Sequence, residues 1–430
     1  MPETFRIAIA GLGTVGASVV EILQTHKDII TARAGRKIEI CGVSARDKKR
    51  DRGVDLSSYA WKDNALDLLD LEKLDAVIEL IGGEDGLAKT LSETALSRSI
   101  SLVTANKALL AHAGLDLARI AQDNDAHIMY EAAVAGGIPI IKSLREGFAA
   151  NKIAAVYGIL NGTCNYILSE MCETGCDFDD VLADAQEKGY AEADPAFDVD
   201  GIDAAHKLCL LSSLAFGVKP DFGALSVTGI SAITAEDIAF ADELGFKIKL
   251  LGVARNDNGA LSQSVSPCLV PFKSTMGAVE GVFNAVFVEG DFVDNGLLVG
   301  RGAGGGPTAS AVVADIIDLA RGNTPPVFGI PVNDLATAQW RDPDEQTSRF
   351  YTRMDVMDRP GVLAEIAAVM RDHDISLEIV LQRSRNPNHP VTIVMTTHKI
   401  TAKQIKQAIG AINQMDFASG TGCYMRIEDF

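Results

Sequence analysis

A glycine-rich turn between an apolar strand and an amphipathic helix is the feature of this sequence that most restricts its fold. Residues 6–11 have the apolar character of a buried strand and run into Gly11-Leu12-Gly13-Thr14-Val15-Gly16, after which a helix is predicted through about residue 24. Glycines at these three positions permit a tight turn and allow backbone N–H groups of the helix N-terminus to approach a pyrophosphate. The sequence therefore predicts dinucleotide binding by residues 11–16, with an ordinary packing turn as the alternative.

Beyond this turn, the predicted elements alternate between strand and helix. Further strands are predicted at 37–44, 75–81, 100–104 and 126–131, with helical stretches between them. Such alternation is typical of an α/β fold with a doubly wound parallel sheet of the Rossmann type. From about residue 151 the pattern becomes α+β, with helices predicted at 165–173, 179–188, 201–216 and 234–245, and strands at 152–159, 247–254, 261–270 and 284–290.

The length of 430 residues and these patterns predict several domains. We expect a dinucleotide-binding domain at 1–150, to which a helix at 308–321 returns, and a substrate-binding and dimerisation domain at 151–307. The segment 322–348 is rich in Pro, Asn, Asp and Gln and is interpreted as a linker. Residues 349–430 then form a compact C-terminal unit.

Charge, hydropathy and cysteine content restrict the partners of the chain. The formal net charge is −19, and such a surface repels nucleic-acid phosphates and anionic lipids. No apolar run approaches the roughly 20 residues that cross a bilayer, and the first residues lack a signal-peptide pattern. The seven cysteines form no zinc-binding set, so reduced thiols are expected. We therefore expect a cytoplasmic protein without nucleic-acid or membrane partners.

The end of the second predicted strand bears on the choice of cofactor. An NAD-specific site usually presents Asp or Glu there, whereas this chain has Arg46, with further basic residues at 48–50. A guanidinium at this position can hold the 2′-phosphate of NADP. NADP is the expected cofactor. NAD stays possible, because a solvated basic loop would have the same sequence.

Three charged residues are candidates for a catalytic role, although each has an ordinary alternative. Asp203 and Lys207 are four residues apart at the start of an otherwise apolar predicted helix, so both side chains lie on one face. Lys107 follows a predicted strand near the carboxyl edge of the sheet. Taken alone, the first two fit an i,i+4 ion pair and the third fits a surface lysine.

Several segments, in this order along the chain, together resemble homoserine dehydrogenases. They are 104–108 (TANKA), 130–139 (YEAAVAGGIP), 160–168 (LNGTCNYIL), 189–195 (GYAEADP), 200–207 (DGIDAAHK) and the glycine cluster 300–306 (GRGAGGG). The resemblance covers residues 6 to about 321. It implies a nicotinamide-dependent enzyme that interconverts L-aspartate 4-semialdehyde and L-homoserine. Since no aspartate-kinase segment precedes residue 6, we expect the monofunctional form.

The resemblance assigns roles to particular side chains. Lys207 is similar to the family's acid/base residue, and Lys107 would assist from the cofactor side. Glu192 and Asp203 would hold the α-ammonium group of the substrate. Reduction of an aldehyde develops negative charge on the carbonyl oxygen, so a cationic proton donor suits the reaction. Cys164 is interpreted as a small packing residue, because alcohol–aldehyde interconversion needs no covalent intermediate.

The resemblance also implies a monovalent cation, Na⁺ or K⁺, bound by the segment 131–138. Its ligands would be Glu131 and the main-chain carbonyls of Val134, Gly136 and Ile138. A tight glycine turn between domains is a second interpretation of this segment, and the two are compatible. Further cofactor contacts are implied at Ile81, Gly189 and Gly304.

The C-terminal unit has the predicted order strand, helix, strand, strand, helix, strand over residues 350–430. This order and the motif 358–363 (DRPGVL) resemble a ferredoxin-like ACT domain. Such domains pair edge to edge and bind amino acids, which implies a homodimer or homotetramer with threonine as the expected effector. A unit that only dimerises is the alternative.

Two other functions stay open at the level of sequence. One is another Rossmann dehydrogenase that acts on an amino acid or a semialdehyde, and a panel of substrates with NADPH separates it. The other is a non-catalytic amino-acid sensor, which hydride-transfer activity would exclude.

Overall fold

The computed structural model describes residues 3–383 and 389–430. The strands are β1 (Phe5–Ala10), β2 (Ile38–Ser44), β3 (Ala60–Lys62), β4 (Ala76–Glu79), β5 (Ser101–Thr104), β6 (Ile128–Met129), β7 (Ile153–Ile159), β8 (Ser226–Val227), β9 (Phe246–Asp257), β10 (Ala260–Pro271), β11 (Phe283–Gly290), β12 (Asp294–Arg301), β13 (Thr347–Met357), β14 (Leu377–Gln382), β15 (Pro390–Thr397), β16 (Ile400–Thr401) and β17 (Cys423–Ile427).

The helices differ widely in length. They are α1 (Thr14–Thr25), α2 (Lys27–Ala34), α3 (Leu87–Ser97), α4 (Lys107–Asp123), α5 (Ile140–Lys142), α6 (Gly162–Thr174), α7 (Phe178–Glu187), α8 (Ala196–Val199), α9 (Ile202–Phe216), α10 (Ala235–Glu243), α11 (Gly305–Arg321), α12 (Val362–Asp372) and α13 (Ala402–Ile412). None of those that the structure describes is both long and apolar enough to span a bilayer.

The first sheet is parallel and has helices on both faces, which confirms the doubly wound fold. Its strand order is β3-β2-β1-β4-β5-β6. Ile7 and Ile9 of β1 belong to a core with α1 and α11, whereas Ala8 and Ala10 belong to a core with α3 and α4. The glycine turn between β1 and α1 therefore lies at the carboxyl edge of the sheet, next to the point where the strand order reverses. Ligands bind at this point in such folds.

The second sheet is mixed and extends from the α+β region into the C-terminal unit. Its main strand order is β12-β11-β7-β9-β10-β17-β13-β15-β14. β9 and β10 form a long antiparallel hairpin, and α9 packs on it and on β7. β10 and β17 pair in parallel over only two residues each, Cys268 with Arg426 and Leu269 with Ile427. This short pairing joins the two parts of the sheet.

The C-terminal unit is ferredoxin-like, as predicted. Its strands lie in the order β17-β13-β15-β14, with α12 and α13 packed over one face. A buried carboxylate, Asp237 of α10, connects this unit to the rest of the chain. It accepts hydrogen bonds from Tyr351 Oη at 3.0 Å and from Arg353 Nε at 2.7 Å. The C-terminal unit is thus attached by hydrogen bonds of both backbone and side chains.

The segment 322–348 is packed onto the domains that precede it. Val327 and Phe328 are buried, and the Val327 carbonyl accepts a hydrogen bond from Tyr130 Oη at 2.9 Å. Further along, Ala336 forms a parallel bridge with Val218. The division into domains stays a prediction, but the segment 322–348 is in part buried and hydrogen-bonded rather than fully solvated.

Candidate active site

A cleft of about 550 Å³ lies between the carboxyl edge of the parallel sheet and the α+β region. Clefts of this size at the switch point of an open sheet commonly hold a cofactor or substrate. Lys107 reaches it from the start of α4, and Asp203 and Lys207 reach it from α9. Other predicted site residues that line it are Val15, Gly136, Gly189 and Gly304.

Asp203 is the centre of a hydrogen-bonded cluster in this cleft. Its Oδ2 accepts from Lys207 Nζ at 2.7 Å and from Asn161 Nδ2 at 2.8 Å. Its Oδ1 lies 3.1 Å from Lys107 Nζ. Burial works to raise the pKa of Asp203, but the ammonium groups of Lys207 and Lys107 outweigh it and hold that pKa well below its usual range. Asp203 is therefore an ionised carboxylate that contacts both lysines.

The local sequence explains how α9 presents these groups. Gly201 has a φ of +84°, which lets the chain turn from α8 into α9 without the strain that a side chain would bring. Asp203 lies in the first turn of α9, and Lys207 lies one turn later, so both point to the same side. Lys207 Nζ also donates to the Leu160 carbonyl at 2.7 Å, which fixes the ammonium at the end of β7.

Lys107 enters the cluster from the parallel-sheet domain. It is the first residue of α4, whose N-cap Asn106 accepts from the Leu109 N–H at 3.1 Å. The Lys107 ammonium lies 5.6 Å from the centroid of the Phe197 ring, a cation–π distance. The structure therefore brings together the two lysines and Asp203 that the sequence predicted, although they come from two domains.

Two cleft residues, Asn161 and Asp198, had no predicted role. Asn161 Nδ2 donates to Asp198 Oδ1 and to Asp203 Oδ2, both at 2.8 Å. Its Oδ1 accepts from the Cys164 N–H at 2.8 Å, so Asn161 is also the N-cap of α6. Burial and the neighbouring Asp203 raise the pKa of Asp198. An Asn directly before a predicted helix was the available signal, but it indicated only a cap.

Cys164 is buried behind this cluster, and its thiol lies 3.2 Å from the Asp198 carbonyl. Burial raises the pKa of Cys164 well above its usual value. A thiol that stays protonated is a poor nucleophile. The position agrees with the interpretation of Cys164 as a packing residue.

The glycine turn has the geometry that a dinucleotide requires. Gly11 has a φ of +103°, and a Cβ on it would overlap the Leu80 carbonyl. A Cβ on Gly16 would overlap the Gly11 carbonyl, whereas one on Gly13 would meet no atom within 4 Å. Two glycines thus serve close packing, and the third leaves open space before the N-terminus of α1, where a pyrophosphate fits. Leu12 and Thr14 complete this turn.

The second glycine-rich loop, 302–306, lies against the start of α1. A Cβ on Gly305 would lie 2.7 Å from Ser18 Oγ and 3.1 Å from the Thr14 side chain. Gly304 has a φ of +112° and precedes α11. Helix N-termini on two sides, α1 and α11, therefore border the region where the cofactor is expected.

Arg46 is exposed in the loop after β2, two residues beyond Ser44, whose carbonyl accepts a hydrogen bond from the Gly11 N–H at 2.9 Å. The loop is held there by Arg52, whose Nε donates to the Leu12 carbonyl at 3.0 Å. The guanidinium of Arg52 also lies 5.6 Å from the Trp61 ring centroid. No sequence pattern indicated a role for Arg52, because its partner is a backbone atom forty residues earlier.

Ile81 lies in the loop after β4, at the carboxyl edge of the parallel sheet. Its N–H donates to Glu79 Oε1 at 2.8 Å, and Thr104 Oγ1 donates to Glu79 Oε2 at 2.6 Å. Glu79 is fully buried and was not predicted as a site residue. It fixes the loop that carries Ile81 beside the neighbouring strand.

The predicted cation ligands lie in a tight turn at the edge of the cleft, where Gly136 lines it. Glu131 is buried, and its carboxylate accepts backbone hydrogen bonds from Ile141 at 2.8 Å and Lys142 at 2.9 Å. Burial, with help from Asp315, raises the pKa of Glu131 to about 7. Val134, Gly136 and Ile138 follow in the turn, where Gly136 has a φ of +54°.

Glu192 differs from the predicted residues of the Asp203 cluster because its side chain is exposed. It is exposed in the loop between α7 and α8, and its main-chain carbonyl accepts from Gln186 Nε2 at 2.9 Å. Gly189 and Tyr190 of the same loop do line the cleft. The structure therefore places the loop at the cleft but gives the Glu192 side chain no contact with Asp203 or Lys207.

Comparison with known proteins agrees with this architecture. Family models match for the homoserine dehydrogenase NAD-binding domain at 11–131, homoserine dehydrogenase at 139–317 and the ACT domain at 350–417. The chain is 42% identical over 429 residues to a homoserine dehydrogenase of Neisseria gonorrhoeae, with 98% of each chain covered. A crystal structure of a homoserine dehydrogenase from Thiobacillus denitrificans matches with a TM-score of 0.94 at 40% identity over 99% of both chains.

A more distant structure is a hyperthermophilic archaeal homoserine dehydrogenase in complex with NADPH. It has a TM-score of 0.64 and 26% identity and covers 76% of this chain and 100% of its own. Family models over most of the chain and relatives of full length point to one family. The chain belongs to the homoserine dehydrogenase family and is an NAD(P)-dependent oxidoreductase with a C-terminal ACT domain.

Proposed function

We propose that Lys207 is the acid/base residue of the homoserine dehydrogenase reaction and that Asp203 positions it. The observation that carries this proposal is the contact set of the Lys207 ammonium. It has three N–H donors, of which one goes to Asp203 Oδ2 and one to the Leu160 carbonyl, each at 2.7 Å. The third donor is available to a substrate oxygen in the cleft.

In the direction of aldehyde reduction, the carbonyl oxygen gains negative charge as the carbon accepts a hydride. The nicotinamide cofactor, when bound, supplies that hydride. Lys207 stabilises the developing oxyanion with its remaining N–H and then transfers the proton to it. In the reverse direction the neutral amine accepts the hydroxyl proton of homoserine. Lys107, paired with Asp203 Oδ1 and about 30% exposed, adds a second positive charge beside the reacting oxygen.

Replacement of Lys207 tests this role. Lys207→Met should lower kcat by roughly 10²–10⁴-fold, the usual contribution of a positioned acid/base group. Lys219→Met is the matched control, because Lys219 is outside the cleft and donates to Thr337 Oγ1. Turnover of Lys207→Met near that of the control would show that another group moves the proton.

For the substrate ammonium group, we propose Asp198 as a ligand beside the predicted Glu192 and Asp203. Asp198 lines the cleft and is held by Asn161, whereas Glu192 is in an exposed loop and would have to reach inward. Asp198→Asn and Glu192→Gln should each raise the KM for homoserine more than they lower kcat. If either variant changes only kcat, that residue does not bind the ammonium group.

NADP is the proposed cofactor, and Arg46 is its proposed 2′-phosphate ligand. Arg46 is exposed in the loop that Arg52 ties to the glycine turn, and one relative was solved with NADPH. Arg46→Ala should raise the KM for NADPH selectively, whereas Arg33→Ala, on the exposed surface of α2, should not. An unchanged ratio of the NADPH and NADH Michaelis constants would refute the assignment.

A monovalent cation at 131–138 fits the charge of this turn. Glu131 and Asp315 are two buried carboxylates, and Lys142 supplies one nearby ammonium group. A bound Na⁺ or K⁺ would add positive charge beside Glu131 and brace the turn between domains. Replacing Na⁺ and K⁺ by a bulky organic cation at constant ionic strength should lower the thermal midpoint of the wild type. An unchanged midpoint argues against the site.

Threonine is the proposed effector of the ACT domain. A pocket of about 470 Å³ lies between the end of β13, the start of α12 and Gln382 of β14. Gln382→Ala should weaken inhibition by threonine without changing basal kcat, and Gln414→Ala is the control, because Gln414 is exposed after α13 and does not line the pocket. Deletion of 349–430 would be a poor test, because it exposes Asp237 and the edge of β10.

A homodimer or homotetramer is the proposed assembly. β12 has exposed apolar side chains at Leu297 and Val299, and Phe292 just before it is 87% exposed. Apolar side chains on an edge strand are typical of a surface that a second copy covers. Phe292→Glu with Val299→Lys should shift the mass in analytical ultracentrifugation towards the monomer.

A cytoplasmic location also stays a prediction, which the seven free cysteines support.

A further inference from the structure

Three side chains with metal-ligating atoms meet beside the cleft but outside the Asp203 cluster. Nε2 of His112 lies 3.1 Å from Nε2 of His206 and 3.3 Å from Glu84 Oε2. One ligand atom from each of the three residues lies within 4.8 Å of the others. We propose that Glu84, His112 and His206 bind a divalent transition-metal ion of the Zn²⁺ type, which bridges α4 and α9.

Two of the three separations among these atoms suit a tetrahedral ion, and the third is within 4.8 Å. With Zn–N and Zn–O bonds of about 2.0–2.1 Å, two ligands of a tetrahedral ion lie roughly 3.3–3.4 Å apart. The observed separations of 3.1 and 3.3 Å are close to this value, so small side-chain rotations suffice to admit the ion. Two imidazoles and a carboxylate are ligands that Zn²⁺ accepts, and a water completes the fourth position.

Hydrogen bonds among the three side chains do not by themselves satisfy all of their ligand atoms, and solvent has to pair with the atom that is left over. A ring nitrogen carries either one hydrogen or one lone pair, and His112 Nε2 faces both an imidazole nitrogen and a carboxylate oxygen. If it donates to Glu84, it has no lone pair for His206, and if it donates to His206, the Glu84 carboxylate loses its donor. A cation between the three atoms is coordinated by all of them at once.

His206 is prepared to act as a ligand. Its ring is stacked between Phe222 and Phe197, with centroid distances of 4.5 and 5.6 Å, which fixes its orientation. Its Nδ1 has no hydrogen-bond partner within the described part of the chain. Since no donor contacts Nδ1, nothing forces the ring proton onto Nε2, the nitrogen that would bind the ion. Glu84 and His112 are open to solvent, which gives the ion a route of entry.

The position of the cluster gives the ion a structural consequence. Glu84 follows β4 and His112 is in α4, so both belong to the parallel-sheet half. His206 is in α9 and directly precedes Lys207. A bound ion therefore ties the two halves of the cleft together next to the catalytic helix.

Calorimetric titration of metal-free, tag-free full-length protein with ZnCl₂ tests the proposal without any enzyme assay. We expect one saturable site per chain. His112→Gln should weaken it at least about 100-fold, because even loss of a ligand's outer partner costs roughly 10–100-fold. Glu84→Gln, on a more exposed side chain, should weaken it as well. His398→Gln, an exposed histidine of the ACT domain, should leave the affinity unchanged.

Substitution with CoCl₂ separates this site from the cysteines. Two imidazoles and a carboxylate give visible d–d absorption without a thiolate charge-transfer band. The absence of a saturable site in the wild type, equal affinity in His112→Gln, or a thiolate band would each overturn the proposal.

Discussion

The Asp203 cluster makes a quantitative prediction for Asp203→Asn. The side chain keeps its shape but loses its charge, and its new amide NH₂ group faces donors. Three donors contact the native carboxylate: Lys207 and Asn161 at 2.7 and 2.8 Å, and Lys107 at 3.1 Å. The asparagine oxygen can keep only part of this set, so an ammonium group is left without its buried counter-charge.

Removing one partner of a buried ion pair costs about 3–5 kcal/mol. Asp203 is 5% exposed, so that range applies to its pair with Lys207. Lys107 is 30% exposed, and its contribution is small because solvent screens it. We therefore expect a loss near the lower end, about 3 kcal/mol. This appears as a lower midpoint of urea unfolding at an unchanged slope.

Catalysis should fall together with stability. A displaced Lys207 ammonium is expected to lower kcat about 10²-fold, the usual cost of a misplacement of 1 Å. A carboxylate that only bound substrate would instead raise KM and leave kcat and stability nearly unchanged. Asp200→Asn is the matched control, because Asp200 is exposed and lies in the turn just before α9. Stability within about 0.5 kcal/mol of the wild type, the usual range of a surface substitution, would refute the positioning role.

Three further predictions concern other parts of the fold. Burial lowers the pKa of Lys249 to about 7, so between that pH and about 10.4 the unfolded chain binds more protons than the folded chain, and the free energy of unfolding rises with pH. Lys249→Met should abolish this rise when urea unfolding is compared at pH 7 and pH 9. An equal rise of the free energy of unfolding in both proteins would contradict the prediction. Gly136→Ala should lower the free energy of unfolding by about 2–4 kcal/mol, because the φ of Gly136 is +54° and a Cβ there would overlap the backbone of residue 302. In the same thermal unfolding assay, Gly306→Ala is the control and should be neutral, because a Cβ at Gly306 meets no atom within 4 Å. Arg353→Met removes the cation that pairs with the buried Asp237 and should lower the free energy of unfolding by about 3–5 kcal/mol. It should also speed proteolysis between β10 and β13. Unchanged proteolysis would show that this contact does not hold the ACT domain in place.

Local patterns predicted the parts of the fold that depend on local sequence. The glycine turn, the alternation of strand and helix and the order of elements in the ACT domain all follow from periodicity over a few residues. The helix predicted at 201–216 is α9, Ile202–Phe216. The i,i+4 spacing likewise placed Asp203 and Lys207 on one face, and their ion pair is present.

Contacts between distant segments could not be predicted in this way. Asn161 donates to Asp203 across 42 residues of sequence, and Lys107 reaches the same carboxylate only because α4 packs on α9. β12 was not predicted, since its exposed side chains and glycines give no apolar period of two. His206 was noted only within a motif, because nothing local indicates that His112 lies opposite.

The two-residue pairing of β10 with β17 has a consequence for biosynthesis of the chain. β10 ends at Pro271, but the strand that pairs with its residues Cys268 and Leu269 begins only at Cys423. During translation, this part of β10 therefore keeps unpaired backbone groups on one edge until the intervening chain is made, and β13 waits for the same strand. Exposed strand edges template aggregation. We expect nascent chains arrested before β17 to require chaperones, and pulse-labelled hydrogen exchange to show β10 and β13 gaining protection together once that strand has emerged.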